Sequence, residues 1–511
     1  MSKAQSFKTA SIQRLLRPRS VAIVGASANP GALGASVLAN LERADYSGDI
    51  HLINPKRDEI NGRPCLKSID DLPEGVDSAV LAIPRVAVLE SVKACARRGV
   101  GGVVIFSAGF AEGGEDGLAE QQEIARIAHE HGMVVEGPNC LGLVNYVDSV
   151  ALTVVSQSGA MAAVLGTSLA ARDLHISFSV STGNEAASGV EDYVEYMLDD
   201  PNTKAITMIV EQFRKPARFL AMARRARELG KRIVLLHPGR SSAARASAAT
   251  HTGAMAGDYQ VMRSLVARTG VIIVDTLEEL LDVSEIVGRC ANLPSAGCAV
   301  LTESGAFKAL TLDLCEDEGL ALSTLNETAL AGLKEALPEF IPPSNPLDLT
   351  AQALVDPDLY RRTMNVLLQE PDFGSIVLGI ILTDPATADL KLPHIINAIK
   401  DLAPEKPVIF AGLDEGAEIP RHYVEQLREL GVPFFASAER VFRALALLSA
   451  PQPMDPGPIE RGEIPLVLAQ ASGVVPEYRS KEILAAFGVS LPKGAFATSA
   501  DEAVAAAESI G

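Results

Sequence analysis

Residues 237–258 read HPGRSSAARASAATHTGAMAGD, a run of small residues with two arginines, Arg240 and Arg245, and with His251 in its final turn. Small residues let a backbone approach a ligand closely and let a loop move. In that final turn His251 is the only side chain that is a neutral nucleophile near pH 7. The two arginines are fixed cations whose planar forks suit phosphate oxygens. A surface loop with a merely polar histidine would use the same residues, so the decision rests on what surrounds it. Glu211 ends an apolar run, 205–210, whose end should share a sheet rim with the start of this loop. A carboxylate there holds one imidazole nitrogen as N–H and leaves the other free for attack. Glu185, in VSTGNE, reads as a turn or cap residue at least as readily as a catalytic one.

Two further stretches carry anion chemistry. An apolar run ends in Ser156, Gln157, Ser158 and Gly159, and another ends in Glu303, Ser304, Gly305 and Ala306; each leads into an apolar helical pattern. A helix start dressed with serine hydroxyls and free backbone N–H groups is an anion site. Ser-Gly is also ordinary turn and cap chemistry, and the duplication is what raises the anion reading above it. A third such turn opens the chain: the apolar run 20–24 leads through Gly25, Gly31 and Gly34 into a helix.

The elements that must position these residues are short apolar runs alternating with helical patterns, at 20–25, 49–54, 78–84, 102–107 and 133–136, again at 152–156, 205–210 and 232–236, and again at 299–302, 375–381 and 407–411. That alternation predicts an α/β chain of doubly wound parallel sheets whose strand ends converge on ligand-binding rims. With 511 residues, about three domains of ordinary size are expected. Net charge is −19, spread along the chain, which argues against nucleic-acid binding. Cys65, Cys95, Cys140, Cys290, Cys298 and Cys315 are scattered without CxxC or metal spacing, so no metal site is expected and reduced thiols in a cytoplasmic protein fit best. The amino terminus lacks an apolar signal core, and no run reaches the roughly 18 apolar residues of a membrane span. NPLDLT at 345–350 reads only as turn chemistry, and PQPMDPGPIE from 451 as a proline-rich linker.

Taken in order, VAIVGASANPGALG, INPK, GPNCLG, SQSGA, STGNE and GRSSAARASAATHTGAMAG resemble the NDP-forming (ADP-forming) acyl-CoA synthetases, relatives of the succinyl-CoA synthetase α subunit, over nearly the whole chain. The resemblance implies a Rossmann-like CoA-binding domain at 1–150, two flavodoxin-like domains at 151–293 and 294–450, and a linker with the start of a truncated ATP-grasp module at 451–511. It implies that ATP phosphorylates His251, that Glu211 orients it, and that the helix starts 156–159 and 303–306 hold the phosphate. Acyl phosphate then forms on the acid, and CoA thiol attacks it. For CoA, it implies Gly25, Ser27, Pro30, Gly31 and Gly34 around phosphates, Lys56 as charge partner, Ile83 and Pro84 beside the adenine, and Asn139 and Cys140 near the thiol end, with Cys140 lining rather than attacking. Expected partners are CoA, ATP with Mg²⁺, a small or aromatic (hydroxycinnamate-like) acid and an ATP-grasp domain or subunit, in a homo-oligomer.

Three departures stand out. Only 143–155 join GPNCLG to SQSG, His237 stands where relatives often carry lysine, and no ATP-grasp sheet is visible by residue 511. The runner-up is an acyl-CoA-sensing regulatory half of a lysine acetyltransferase, disfavoured because His251 is kept. An NAD dehydrogenase is disfavoured by the glycine spacing and by Asn54-Pro55-Lys56, where an acidic residue would be needed.

Overall fold

Apolar runs of four or five residues, buried on both faces, form parallel strands because helices must cover both sides of the sheet. The computed structural model describes residues 7, 9–146, 151–156 (backbone), 159–244, 258–294, 297–450, 453, 455, 457 and 473–510. These fall into two compact units, Met1–Asp455 and Pro456–Gly511.

Among the described residues the first unit holds three sheets. In the first, β1 (Ser20–Val24), β2 (Asp49–Ile53), β3 (Glu59–Ile60), β4 (Arg63–Leu66), β5 (Ser78–Leu81), β6 (Gly102–Ile105) and β7 (Val134–Glu136) run in the order β3-β4-β2-β1-β5-β6-β7. All neighbours pair in parallel except β3 with β4. The carboxyl ends of β2, β1, β5, β6 and β7 therefore share one rim.

The second sheet contains β8 (Leu143–Asn145), β9 (Ala151–Ser156), β10 (Ile176–Ser181), β11 (Thr203–Ile209), β12 (Arg232–Leu236) and β13 (Ile272–Val274), in the order β13-β12-β11-β9-β10-β8. Within the short stretch 143–155, the expected strand at 152–156 is β9, and a further strand not expected from the sequence, β8, precedes it. β8 pairs antiparallel with β10, and the other pairs are parallel. The third sheet is parallel throughout, with β14 (Cys298–Thr302), β15 (Leu347–Asp348), β16 (Ser375–Ile380), β17 (Val408–Gly412) and β18 (Phe434–Phe435) ordered β15-β14-β16-β17-β18. The NPLDLT stretch is thus an edge strand. Asn345 fastens it by accepting from the N–H of Val300 (2.9 Å) and donating to the carbonyls of Cys298 and Ser323 (2.9 Å each).

One apolar core joins the first and second sheets, through Ile105, Val135, Phe178, Tyr193 and Met208. Another joins the second and third, through Val234, Ile272, Val300, Val377 and Ile409, with helices Leu277–Arg289 and Ala438–Ser449 between them. Among its described residues the second unit has two helices, Glu477–Ala486 and Ala500–Ile510, neither with a buried residue, and Tyr478 stacks on Phe496 at 4.2 Å between centroids. Among the described residues no helix is long and apolar enough to cross a membrane.

Candidate active site

At the first rim the chain leaves β1 through Gly25, at φ +86°. A Cβ on Gly25 would stand 2.3 Å from the carbonyl oxygen of Ala82, and one on Gly34 would stand 2.2 Å from that of Gly25. Only glycine allows both the left-handed turn and this close seating of helix Leu33–Arg43 against the strand ends. The helix N-cap is Ala32, which has no side-chain oxygen to cap the first turn. Gly31 shares the left-handed geometry (φ +85°), but open space surrounds it, and Pro30 beside it is exposed. The two glycines therefore separate strain from clash. Gly25→Ala is expected to lower stability by about 2 kcal/mol or more and Gly31→Ala by about 1 kcal/mol, read as thermal midpoints. Equal losses would show that contact with Ala82 is irrelevant.

Two polar side chains that sequence reading passed over hold this rim. Asn54 donates to the carbonyl of Ala26 (2.8 Å) and accepts from the N–H of Lys56 (2.9 Å), so the β1 and β2 exits move together. Ser107 donates its hydroxyl to the carbonyl of Ile83, and its own carbonyl accepts from the N–H of Asn139 (3.0 Å), which ties Ile83 and Pro84 to the 137–140 turn. Their position at strand carboxyl ends was the available signal. Ser27 accepts from the N–H of Asn29 (3.1 Å), and Lys56 is exposed. Cys140 is buried with its thiol toward the carbonyls of Ile105 (3.4 Å) and Glu136 (3.7 Å). Burial, and then the neighbouring Glu136, push that thiol well above its ordinary range, which makes it inert as a nucleophile.

Glu136 itself is wholly buried, and neither carboxyl oxygen has a hydrogen-bond partner. Burial raises its pKa well above the usual carboxylate value, so the folded chain keeps a proton that the unfolded chain releases. Native protein then binds more protons than unfolded protein above the ordinary carboxyl range, and stability falls as pH rises through that window. Glu136→Gln carries no such proton. Its unfolding free energy is expected to gain on wild type as pH rises above the ordinary carboxyl range, by up to about 1.4 kcal/mol per pH unit. A difference that stays constant over that rise would show that Glu136 does not titrate.

In the second sheet, a Cβ on Gly159, the first residue of helix Gly159–Ala170, would stand 2.5 Å from the Leu141 side chain. That helix start therefore abuts the Asn139–Cys140 turn. Gln157, Ser158, Arg245 and His251 lie outside the described residues, as does the Ser156 side chain. Glu211 is half-buried just beyond β11. Arg240 is exposed at the foot of the 237–258 stretch and pairs with Asp275 at 3.5 Å. His237 packs between the rings of Phe213 and Tyr259, with its Nδ1 lacking a partner, and burial lowers its pKa. Glu185 caps: its Oε1 accepts from the Thr182 hydroxyl (2.9 Å) and the N–H of Val190 (3.0 Å), at the start of helix Val190–Asp199.

In the third sheet, Ser304 caps helix Gly305–Asp317 by accepting from the N–H of Phe307 (3.2 Å), and Gly305 and Ala306 are exposed. The Glu303 side chain turns inward, where it accepts from Lys391 (2.6 Å) and from the Tyr360 hydroxyl. Burial and that carboxylate hold the phenol well above its ordinary pKa. Backbone groups and Ser304 are left to face an anion at this turn, with the Asp348 carboxylate alongside, its Oδ2 3.3 Å from where a Gly305 Cβ would sit.

Comparison with known proteins matches this architecture. Residues 19–146 fit the family described as CoA binding domain, and 150–287 fit the succinyl-CoA ligase like flavodoxin domain. A trans-feruloyl-CoA synthase from an unknown prokaryotic organism is 50% identical over 525 residues, covering 99% of this chain and 74% of the relative. The α subunit of an ADP-forming acetate–CoA ligase II from Pyrococcus furiosus is 31% identical, covering 84% of this chain and 95% of that subunit. Among solved structures, the dinucleotide forming acetyl-coenzyme A synthetase 1 of Ca. Korarchaeum cryptofilum, in complex with phosphate and ADP, superimposes with a TM-score of 0.77 at 28% identity, over 86% of this chain and 96% of that one.

Proposed function

We infer the reaction from one premise: the chain belongs to the ADP-forming acyl-CoA synthetases, and is an acid–thiol ligase that joins a carboxylic acid to CoA with cleavage of ATP to ADP and phosphate. The observation that carries the substrate is the 50% identity to a trans-feruloyl-CoA synthase, sustained over 99% of this chain. On it we place the acid among aromatic, hydroxycinnamate-type acids such as ferulate.

In the proposed route a ring nitrogen of His251 takes the phosphoryl group of ATP, with Glu211 holding the other nitrogen as N–H. A carboxylate oxygen of the acid then takes the phosphoryl group. The thiol sulfur of CoA attacks the acyl carbon of that mixed anhydride, and phosphate leaves. A phosphoryl group carries about two negative charges and needs donors aimed at its oxygens. The helix starts at Gly159 and at Ser304–Ala306 would supply backbone N–H groups for that purpose. Glu303 serves there through its backbone alone, since Lys391 takes its carboxylate. CoA phosphates would lie over Gly25, Ser27, Pro30, Gly31 and Gly34 with Lys56 alongside, the adenine against Ile83 and Pro84, and the thiol end near Asn139, above the buried Cys140. The absence of any side chain at Gly25 and Gly34 and the uncapped helix start fit a bound pyrophosphate. Mg²⁺ would arrive with ATP and neutralise its phosphates, with an ATP-grasp domain or subunit holding the nucleotide.

The test is a product balance. With ATP, Mg²⁺, CoA and ferulate, the protein together with its ATP-grasp domain or subunit is expected to form feruloyl-CoA, ADP and phosphate in equal amounts. AMP and pyrophosphate would overturn the reaction. Turnover of acetate with refusal of ferulate would overturn the substrate.

A further inference from the structure

The site just described must accept a negatively charged acid, yet the junction between the 137–140 turn and the end of β11 is crowded with carboxylates. Glu112 accepts from the Asn184 amide and from the N–H of Gly109 (2.6 Å). Glu185 and Glu191 are both buried, and each brings an oxygen to within 3.3 Å of where a Gly189 Cβ would sit. Without a cation, this neighbourhood would repel a substrate carboxylate.

The cations nearby are not equivalent. Lys215 binds Asp192 (3.2 Å), and Arg218 binds both Asp192 and Glu195; both are 17% exposed and fully engaged. Arg214 differs. It follows Glu211 by three residues, its side chain is 33% exposed, and its contacts are loose. Its Nη2 reaches the carbonyl of Asn184 at 3.4 Å, and its Nε stands 3.7 Å from Glu185, beyond hydrogen-bond distance. The turn it lies over is docked on the thiol-end loop: the N–H of Asn184 donates to the carbonyl of Pro138 (2.9 Å), and the Asn139 amide reaches the Asn184 oxygen at 3.5 Å. Glu185 holds that turn at φ +55°, a conformation that a non-glycine residue keeps only when its surroundings fix it.

We propose that Arg214 binds the carboxylate of the acid substrate, its guanidinium fork turning from the loose contacts with Asn184 and Glu185 to take both substrate oxygens. A planar fork matches a carboxylate with two parallel N–H···O bonds, which a lysine ammonium cannot reproduce. Glu185 keeps the fork near the turn while no substrate is bound, and Asn184 links its position to Asn139. This assignment rests on the ligase reading above.

The experiment is steady-state kinetics of the full-length protein and its Arg214→Gln and Arg214→Lys variants, with ferulate, benzoate and acetate each offered as the acid. Loss of a charge-assisted pair is expected to raise the KM for the accepted acid roughly 10- to 100-fold in Arg214→Gln. Arg214→Lys should fall between that variant and wild type. The KM for CoA and the thermal midpoint should stay at wild-type values in both. An acid KM within about twofold of wild type in Arg214→Gln would overturn the assignment, as would equal losses in acid and CoA affinity. If wild type converts none of the three acids, it is the ligase reading that fails.

Discussion

Replacing His251 with alanine is expected to abolish acyl-CoA formation, by about four orders of magnitude or more, the scale on which removing a covalent nucleophile acts. The reason is chemical. A carboxylate and a thiol do not condense in water, and in the proposed route the phosphoryl group reaches the acid only by way of the imidazole. The control for misfolding is CoA affinity, because the glycine turn at Gly25 and Gly34 lies on a different sheet from β12 and should be untouched. The decisive observation is label from γ-labelled ATP, acid-labile and base-stable, present on wild type and absent from His251→Ala. Label that survives the substitution, or full turnover without it, would sink the phosphohistidine route and leave the direct attack of acid on ATP.

What could be read from the sequence followed the physics of burial. The runs at β1, β5, β6, β14, β16 and β17 are apolar because helices cover both faces of their sheets, and such runs are visible without partners. Glycine turns and Ser-Gly caps are equally local. β8 was not legible: it is three residues long, partly exposed, and exists only because β10 lies beside it. Long-range side-chain pairing was hidden for the same reason. The inward turn of Glu303 depends on Tyr360 and Lys391, 57 and 88 residues away, so a serine-glycine turn that looked like a uniform phosphate cradle has a side chain committed elsewhere. The roles of Asn54 and Ser107 needed the rim to be assembled before their amide and hydroxyl had anything to tie. Arg214 stands three residues after Glu211 in the sequence, but its looseness relative to Lys215 and Arg218 is a property of the packed site.

At the joint between the second and third sheets, Glu285 is a buried carboxylate on which several cations converge. Its side chain is 1% exposed and receives Arg172 at 3.0 Å, Arg428 at 3.7 Å and the backbone N–H of Phe434 at 3.2 Å. Arg172 also pairs with Asp282 at 2.9 Å, and Arg428 with Asp173 at 2.7 Å, so one carboxylate ties helix Leu277–Arg289 to the second sheet's flank and to the helix and strand that end the third. Removing one partner of such a cluster leaves the others charged and shielded from water, a cost of about 3–5 kcal/mol. Glu285→Ala is therefore expected to lower the unfolding midpoint far more than Arg361→Ala, which breaks a solvent-screened, exposed pair with Asp358. Glu285→Gln, which keeps an acceptor for the N–H of Phe434 but loses the charge, should fall between them. Comparable midpoints for Glu285→Ala and Arg361→Ala would show that the apolar core around Val234, Val300 and Val377 holds the joint alone. The expected ordering has a functional corollary under the proposed route. If the helix starts at Gly159 and Gly305 hold phosphate between them, loosening this joint widens their separation, and Glu285→Ala should lose turnover before it loses affinity for CoA.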